Sequence, residues 1–185
     1  MIAVHVQSAP PTSRAVRWLP LVGLGGVLLA AAAVSDAANG PVETVLLVAT
    51  AALAGGAVAA LHDPAATLLA AVPTSVMHRR ALRLLLVGVP VLALWWSVAG
   101  LTSGADAAGL GRLLALTTAG LAVAVSVRPH ARGVLVGASA PLVWFGLDHM
   151  AVLDGLPADA AGWWRTDPWA VVAAALLVCA LRRAS

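Results

Sequence analysis

Six long runs of Ala, Leu, Val and Gly, separated by short polar segments, dominate this sequence. A helix that crosses a bilayer core needs about 20 predominantly apolar residues. Each run is close to that length, although Arg165, Asp167 and Pro168 interrupt the first turns of the last one. The runs do not alternate apolar and polar residues as the strands of a membrane β-barrel do. The sequence therefore predicts an all-α integral membrane protein with six transmembrane helices, at residues 18–34, 42–61, 84–101, 110–127, 133–153 and 163–181.

The composition supports this fold class. The chain is 61% hydrophobic and only 10% charged, whereas soluble domains carry about 25% charged residues. Cys179 is the single cysteine, so neither a disulfide framework nor a thiolate metal site is expected. No cleavable signal peptide is apparent before the first run. All eleven basic residues are arginine, which together with the excess of alanine suggests a bacterial genome of high G+C content.

The arginines predict the orientation, because cytoplasmic loops of membrane proteins carry an excess of basic residues. With six spans, nine of the eleven arginines fall on one side of the membrane and six of the eight acids fall on the other. Both termini are therefore predicted to be cytoplasmic. Residues 1–17 form a cytoplasmic segment, residues 18–182 form the transmembrane domain, and its two notable connections are a cytoplasmic loop at 62–83 and an outer loop at 154–168.

The cytoplasmic loop 62–83 begins with a helix signal. Asp63 is a good N-cap, and Pro64 suits the first helical position. The residues that follow predict a helix of about two turns. Its apolar patch consists of Leu68, Leu69 and Val72.

Pro73 ends this short helix, and Thr74 or Ser75 can cap the next one, which leads through Arg79, Arg80 and Arg83 into the third span. Two interpretations follow from the residues alone. The loop is either an interfacial linker whose leucines lie on lipid, or a docking helix whose apolar patch inserts into a soluble partner.

Two sequence stretches carry a family resemblance. "HDPAATLLAAVPTSVMHRRALRLLLV", near the third span, and "WWRTDPW", before the last span, resemble the small six-span permeases of high-G+C bacteria related to type-2 ATP-binding-cassette exporters. The resemblance implies that residues 63–72 form a coupling helix that docks on a nucleotide-binding subunit, while Pro73, Thr74 and Ser75 set its exit angle. It further implies that residues 154–168 form an outer re-entrant element.

The resemblance also implies partners and an energy source. A phosphate-binding loop of the G-x-x-x-x-G-K-[ST] type requires a lysine, and this chain contains none. ATP and Mg²⁺ are therefore expected in a separate ATPase subunit, and no catalytic residue, cofactor or nucleic-acid partner is expected for the chain itself. The expected assembly is a homodimer, or a pair with a paralogous permease, in the bacterial cytoplasmic membrane.

Asp148 and His149 form the most unusual pair inside a predicted span. Ionisable residues at membrane depth are costly and usually face a bundle interior or a water-filled cavity. One interpretation is a substrate contact or a proton-sensitive gate, with Trp144 packed nearby between helices, since histidine changes charge near neutral pH. The other is that the span ends near Leu147 and both residues lie at the outer interface.

Other chemistries fit the sequence poorly. Ser139 and His149 are separated by about 15 Å along one helix, too far for a hydrolytic pair with a hydrogen-bond reach of about 3 Å. The other histidines outside the first 17 residues lie in or beside predicted cytoplasmic loops, which disfavours haem ligation, and no local cluster predicts a metal site. A second function class stays open, in which the protein is a membrane scaffold or sensor whose cytoplasmic loop recruits a regulatory protein.

Overall fold

The computed structural model describes residues 18–61, 76–102, 107–128, 130–150 and 156–184. Within these ranges all regular structure is α-helical, which confirms the predicted all-α class. The described part contains seven helices: α1 (Trp18–Ala37), α2 (Val42–Ala59), α3 (Val76–Leu101), α4 (Ala107–Ser126), α5 (His130–His149), α6 (Leu156–Thr166) and α7 (Pro168–Ala184).

Four of these helices are long and apolar enough to cross a membrane, and they coincide with the first four predicted spans. They indicate a multi-pass membrane protein. A fifth span results if α6 and α7, which are bent by 101° at Asp167, are counted together. The predicted fifth span corresponds to α5, which is not among the four because its apolar centre lies between polar residues at both ends, namely His130, Arg132, Asp148 and His149.

Two helices form the centre of the bundle. α2 packs against α1, α3, α4 and α5, while α4 packs against α2, α5, α6 and α7. Their facing side chains are small or aliphatic and are almost completely buried, as Leu53, Leu113 and Leu116 are. The remaining helices surround this pair, and their outward faces carry exposed Leu, Val and Trp side chains. Such faces are expected in a protein whose solvent is lipid.

Glycines allow the closest helix crossings. A Cβ atom added at Gly137 of α5 would lie 2.5 Å from the carbonyl oxygen of Gly120 in α4. One added at Gly55 of α2 would lie 2.5 Å from the carbonyl oxygen of Ala138. Small residues at such positions let backbones approach closely in lipid. Gly23 and Gly26 of α1, by contrast, face open space, so only some of the small-residue runs make helix contacts.

A buried hydrogen-bond relay joins α2 to α3. The indole N–H of Trp95, which is fully buried, donates to Thr50 Oγ1 at 3.1 Å. The Thr50 hydroxyl in turn donates to the carbonyl oxygen of Leu46, one turn earlier in α2, at 2.7 Å. Every polar atom of the two side chains thus has a partner away from water, as burial requires.

The turn between α1 and α2 follows from a residue with a positive φ angle. Asn39 has a φ of 50°, which asparagine tolerates better than most side chains. The backbone N–H of Asn39 donates to the backbone carbonyl oxygen of Asp36 at 3.2 Å. The backbone N–H of Gly40 donates to the backbone carbonyl oxygen of Ser35 at 2.8 Å. This pair of bonds is the Schellman arrangement that ends a helix. It terminates α1 and allows α2 to begin at Val42.

Candidate functional site

The structure pairs the carboxylate of Asp148, at the end of α5, with the guanidinium of Arg165, near the end of α6. Arg165 Nε donates to Asp148 Oδ2 at 2.5 Å, and Nη2 donates to Oδ1 at 2.7 Å. Such a bidentate arrangement is the strongest form of this ion pair. The Asp148 side chain is 5% exposed and that of Arg165 is 39% exposed, so the negative charge is buried and its positive partner reaches the surface.

Two further groups lie close to the Asp148 carboxylate. His149 Nδ1 lies 3.7 Å from Asp148 Oδ2. A Cβ atom added at Gly162 of α6 would lie 3.6 Å from Oδ1, which brings the α6 backbone close to the ion pair. Glu43, in the first turn of α2, adds a weaker attraction on Arg165. The cluster therefore joins the end of α5 to α6.

Aromatic rings reinforce the same junction. Phe145 stacks on His149 with a centroid distance of 4.2 Å, and it meets Trp164 of α6 edge to face at 6.4 Å. Phe145, Asp148 and His149 are three and four residues apart and so share one face of α5. Trp164 is fully buried, and its Nε1 has no hydrogen-bond partner within the described ranges. The junction between α5 and α6 thus combines the Asp148–Arg165 ion pair with the aromatic contact between Phe145 and Trp164.

The arrangement explains how the Asp148 carboxylate can be almost completely buried. Both oxygens of Asp148 accept charge-assisted hydrogen bonds from Arg165, which offsets the cost of burying the charge. In the part of the chain that the structure describes, no group of three His, Cys, Asp or Glu side chains could hold a metal ion. The geometry is that of an anchor between two helices.

The structure describes some of the predicted site residues and not others. Asp148 and His149 do lie together, and α5 continues through both of them. Trp144 is half-buried and packs against the main hydrophobic core. The Ser139 hydroxyl donates to the carbonyl oxygen of Val136 at 2.9 Å. The proposed docking residues lie outside the described residues, namely Asp63, Pro64, Leu68, Leu69, Val72, Pro73, Thr74 and Ser75.

Sequence reasoning missed the partners of Asp148. From the sequence, Arg165 is only an interruption of the last span, and Phe145 and Trp164 belong to no site. One signal was available. Arg165 is one of two arginines on the predicted outer side, where basic residues are scarce. An arginine in that position, together with a carboxylate in the preceding span, could have suggested that the two form an ion pair.

Comparison of the chain with protein-family models, with curated proteins and with solved structures found no match.

Proposed function

We propose that this protein is a six-span permease subunit of an ATP-binding-cassette exporter in a bacterial cytoplasmic membrane, with both termini in the cytoplasm. The observation that carries the proposal is the 101° break between α6 and α7. The sequence resemblance implies short outer helices between spans five and six. A short helix nearly perpendicular to the following apolar helix is what such an element requires.

The Asp148–Arg165 pair fits this architecture. α6 has only 11 residues, which is too few to cross a bilayer, and it carries the charged side chains of Asp159 and Arg165. A helix this short and polar needs specific contacts to stay packed against the bundle. The ion pair and the buried Trp164 hold it against α5 and α4. In the proposed permease these contacts keep the outer element closed over the ends of the spans.

The energy for transport comes from a separate ATPase subunit that binds ATP and Mg²⁺. Two ATPase subunits approach each other when they bind ATP, and the segment 63–72 passes that movement into the bundle. The apolar patch of Leu68, Leu69 and Val72 provides the contact with the ATPase. The substrate, hydrophobic or amphipathic because the chain offers few charges to recognise a polar one, leaves between two permease subunits.

The alternative is a membrane scaffold or sensor that does not transport. In that case the same loop recruits a regulatory protein, and the Asp148–Arg165 pair only stabilises the bundle. The two functions differ in gene neighbourhood. An exporter subunit is encoded beside an ATPase gene, and a scaffold is encoded beside a regulator or a biosynthetic enzyme.

Affinity purification from native membranes in mild detergent tests the proposal. The tagged native chain is compared with the double variant Leu68→Asp/Leu69→Asp, and co-purifying proteins are identified by mass spectrometry. At about 100° per residue, Thr67 and Ala70 lie on the opposite face of the predicted helix. Thr67→Asp/Ala70→Asp is therefore the matched control, with the same added charge.

We expect an ATPase subunit with the native chain and the control variant, and its loss from Leu68→Asp/Leu69→Asp. If all three forms are inserted in the membrane and none brings an ATPase, the exporter function is wrong. A regulatory protein recovered in the same pattern would then support the scaffold.

A further inference from the structure

A groove of about 500 Å³ runs along the outer surface between α1 and α3. The two helices touch where Gly25 meets the side chain of Leu94, because a Cβ atom added at Gly25 would lie 2.8 Å from Leu94 Cδ2. Beside this contact the residues that line the groove are small, since Gly26 has no side chain and Ala93 has only a methyl group. The groove therefore lies directly beside the line of contact between the two helices.

The lining of the groove is apolar. No charged residue lines it, and the only hydroxyl among the lining residues belongs to Ser97. That hydroxyl donates to the carbonyl oxygen of Ala93 at 2.8 Å, so it is already bonded within α3. A polar ligand would lose its hydration here without gaining hydrogen bonds. The volume lies within the range of about 300–1,000 Å³ that is usual for ligand sites.

The groove opens towards the lipid. α1 and α3 are the two least buried of the four apolar helices that are long enough to span a membrane. Val22, on the rim, is 67% exposed. An occupant must therefore enter from the hydrocarbon core of the bilayer, which consists mainly of the acyl chains of phospholipids.

The length of the groove matches one leaflet. Its lining extends along α1 from Trp18 to Leu29, a rise of about 16 Å at 1.5 Å per residue. Half of a bilayer core about 30 Å thick is about 15 Å. Trp18 lies at one end of the groove, and tryptophan favours the level of the lipid head groups.

We infer that this groove is a binding site for one acyl chain of a phospholipid, with the head group at the level of Trp18 and the chain end near Leu29. The site belongs to a resident lipid of the leaflet on the side where α1 begins. It requires only that α1 and α3 are embedded in the membrane, so it does not depend on the proposed transport function.

Photo-crosslinking in vesicles tests the site. The full chain is reconstituted in phosphatidylethanolamine and phosphatidylglycerol vesicles that contain a phospholipid with a diazirine on one acyl chain. After irradiation, lipid adducts are mapped by peptide mass spectrometry. We expect adducts to be enriched on the residues that line the groove over equally exposed residues of α7, such as Leu177 and Leu181.

Two pairs of variants make the test specific. Gly26→Leu fills the groove, whereas Gly23→Leu adds the same side chain to α1 outside it, and a Cβ atom at either position meets nothing within 4 Å. On the other wall, Ala93→Leu is compared with Gly88→Leu. Leucine at position 26 or 93 takes up volume that the acyl chain would occupy, so we expect the enrichment of adducts over the α7 residues to be lost for Gly26→Leu and Ala93→Leu, with little change in the two controls.

Several outcomes would overturn the site. Adducts spread evenly over all the lipid-facing helices mean ordinary lipid contact only, and so does an equal effect of the groove variants and their controls. Lipid adducts on Leu177 and Leu181 but none on the groove residues of the native chain would mean that something other than lipid occupies the groove. An unchanged unfolding temperature of each variant shows that a loss of adducts is not a loss of fold.

Discussion

Arg165 reaches across from α6 and donates two hydrogen bonds to Asp148 of α5, but the two side chains differ in their exposure to solvent. Asp148 is 5% exposed and Arg165 is 39% exposed. An unpaired charge is costly in proportion to its burial. The aspartate therefore depends on the arginine much more than the arginine depends on the aspartate.

The first prediction concerns this asymmetry. Arg165→Met removes the positive charge and leaves the buried Asp148 carboxylate uncompensated, so we expect a loss of about 3 kcal/mol in the free energy of unfolding. Asp148→Asn leaves an arginine that is much less buried than the aspartate, and we expect a loss of about 1 kcal/mol. Both losses are measured by titrating the protein with SDS in mixed micelles and monitoring unfolding by tryptophan fluorescence.

The double variant Asp148→Asn/Arg165→Met is the control for this prediction. It contains no buried charge at this junction, so we expect it to be more stable than Arg165→Met alone. Equal losses for the two single variants would show that the burial of Asp148 does not determine the stability of the junction.

The second prediction concerns the crossing of α4 and α5. A Cβ atom at Gly137 would lie 2.5 Å from the Gly120 carbonyl oxygen and 2.6 Å from the Ala124 Cβ. Gly137→Ala must therefore push the two helices apart, and we expect a loss of about 2 kcal/mol in the free energy of unfolding. The measurement is the same SDS titration.

Gly146→Ala is the matched control on the same helix. A Cβ atom at Gly146 meets nothing within 4 Å. Alanine has a higher helix propensity than glycine by about 1 kcal/mol, so this variant should be as stable as the native chain or more stable. A loss of stability in Gly146→Ala equal to that in Gly137→Ala would argue against the tight crossing.

The third prediction concerns the relay from Trp95 through Thr50 to Leu46. Thr50→Val removes the acceptor and leaves the buried indole N–H without a partner, which should cost about 1–2 kcal/mol in the free energy of unfolding. Trp95→Phe removes the donor. In a double-mutant cycle we expect a coupling energy of about 0.6 kcal/mol, the average for such bonds inside membrane proteins. Strictly additive losses would show that the bond does not contribute.

The helices could be predicted from the sequence more fully than their contacts. The apolar run 42–61 matches α2 at Val42–Ala59, whereas the predicted sixth span 163–181 is divided at Asp167 between α6 and α7. Length and hydropathy decide where a helix fits in a bilayer, and both are local properties of the sequence. The number of spans depends on whether α5 crosses the membrane. Hydropathy alone does not decide this, because both ends of α5 are polar.

The contacts of the candidate site depend on tertiary packing. Asp148 and Arg165 are 17 residues apart on two helices with a connection between them, and no helical period relates them. In the same way, Gly137 makes a close crossing and Gly146 does not, although both are glycines of one helix in an alanine-rich chain. Only the shared face of Phe145, Asp148 and His149 could have been predicted from residue spacing.

The fourth prediction concerns the orientation of the chain. Ala38 and Arg128 are both exposed, and the apolar helices α2, α3 and α4 lie between them. In a Cys179→Ala background, we expect Ala38→Cys to react with a membrane-impermeant maleimide in intact cells. Arg128→Cys should react only after permeabilisation, because three crossings place it on the other side. Reaction of both in intact cells would mean that one of the three helices does not cross.

The fifth prediction tests whether α5 crosses the membrane despite its polar ends. Asp148 is neutralised by Arg165, and this pairing removes much of the cost that separates α5 from the four more apolar helices. If α5 crosses, then Asp159, which is exposed on α6, lies on the same side as Ala38. Asp159→Cys in the Cys179→Ala background should therefore react with the impermeant maleimide in intact cells. Reaction only after permeabilisation, with Ala38→Cys still reactive from outside, would show that α5 does not cross and that the six-span topology is wrong.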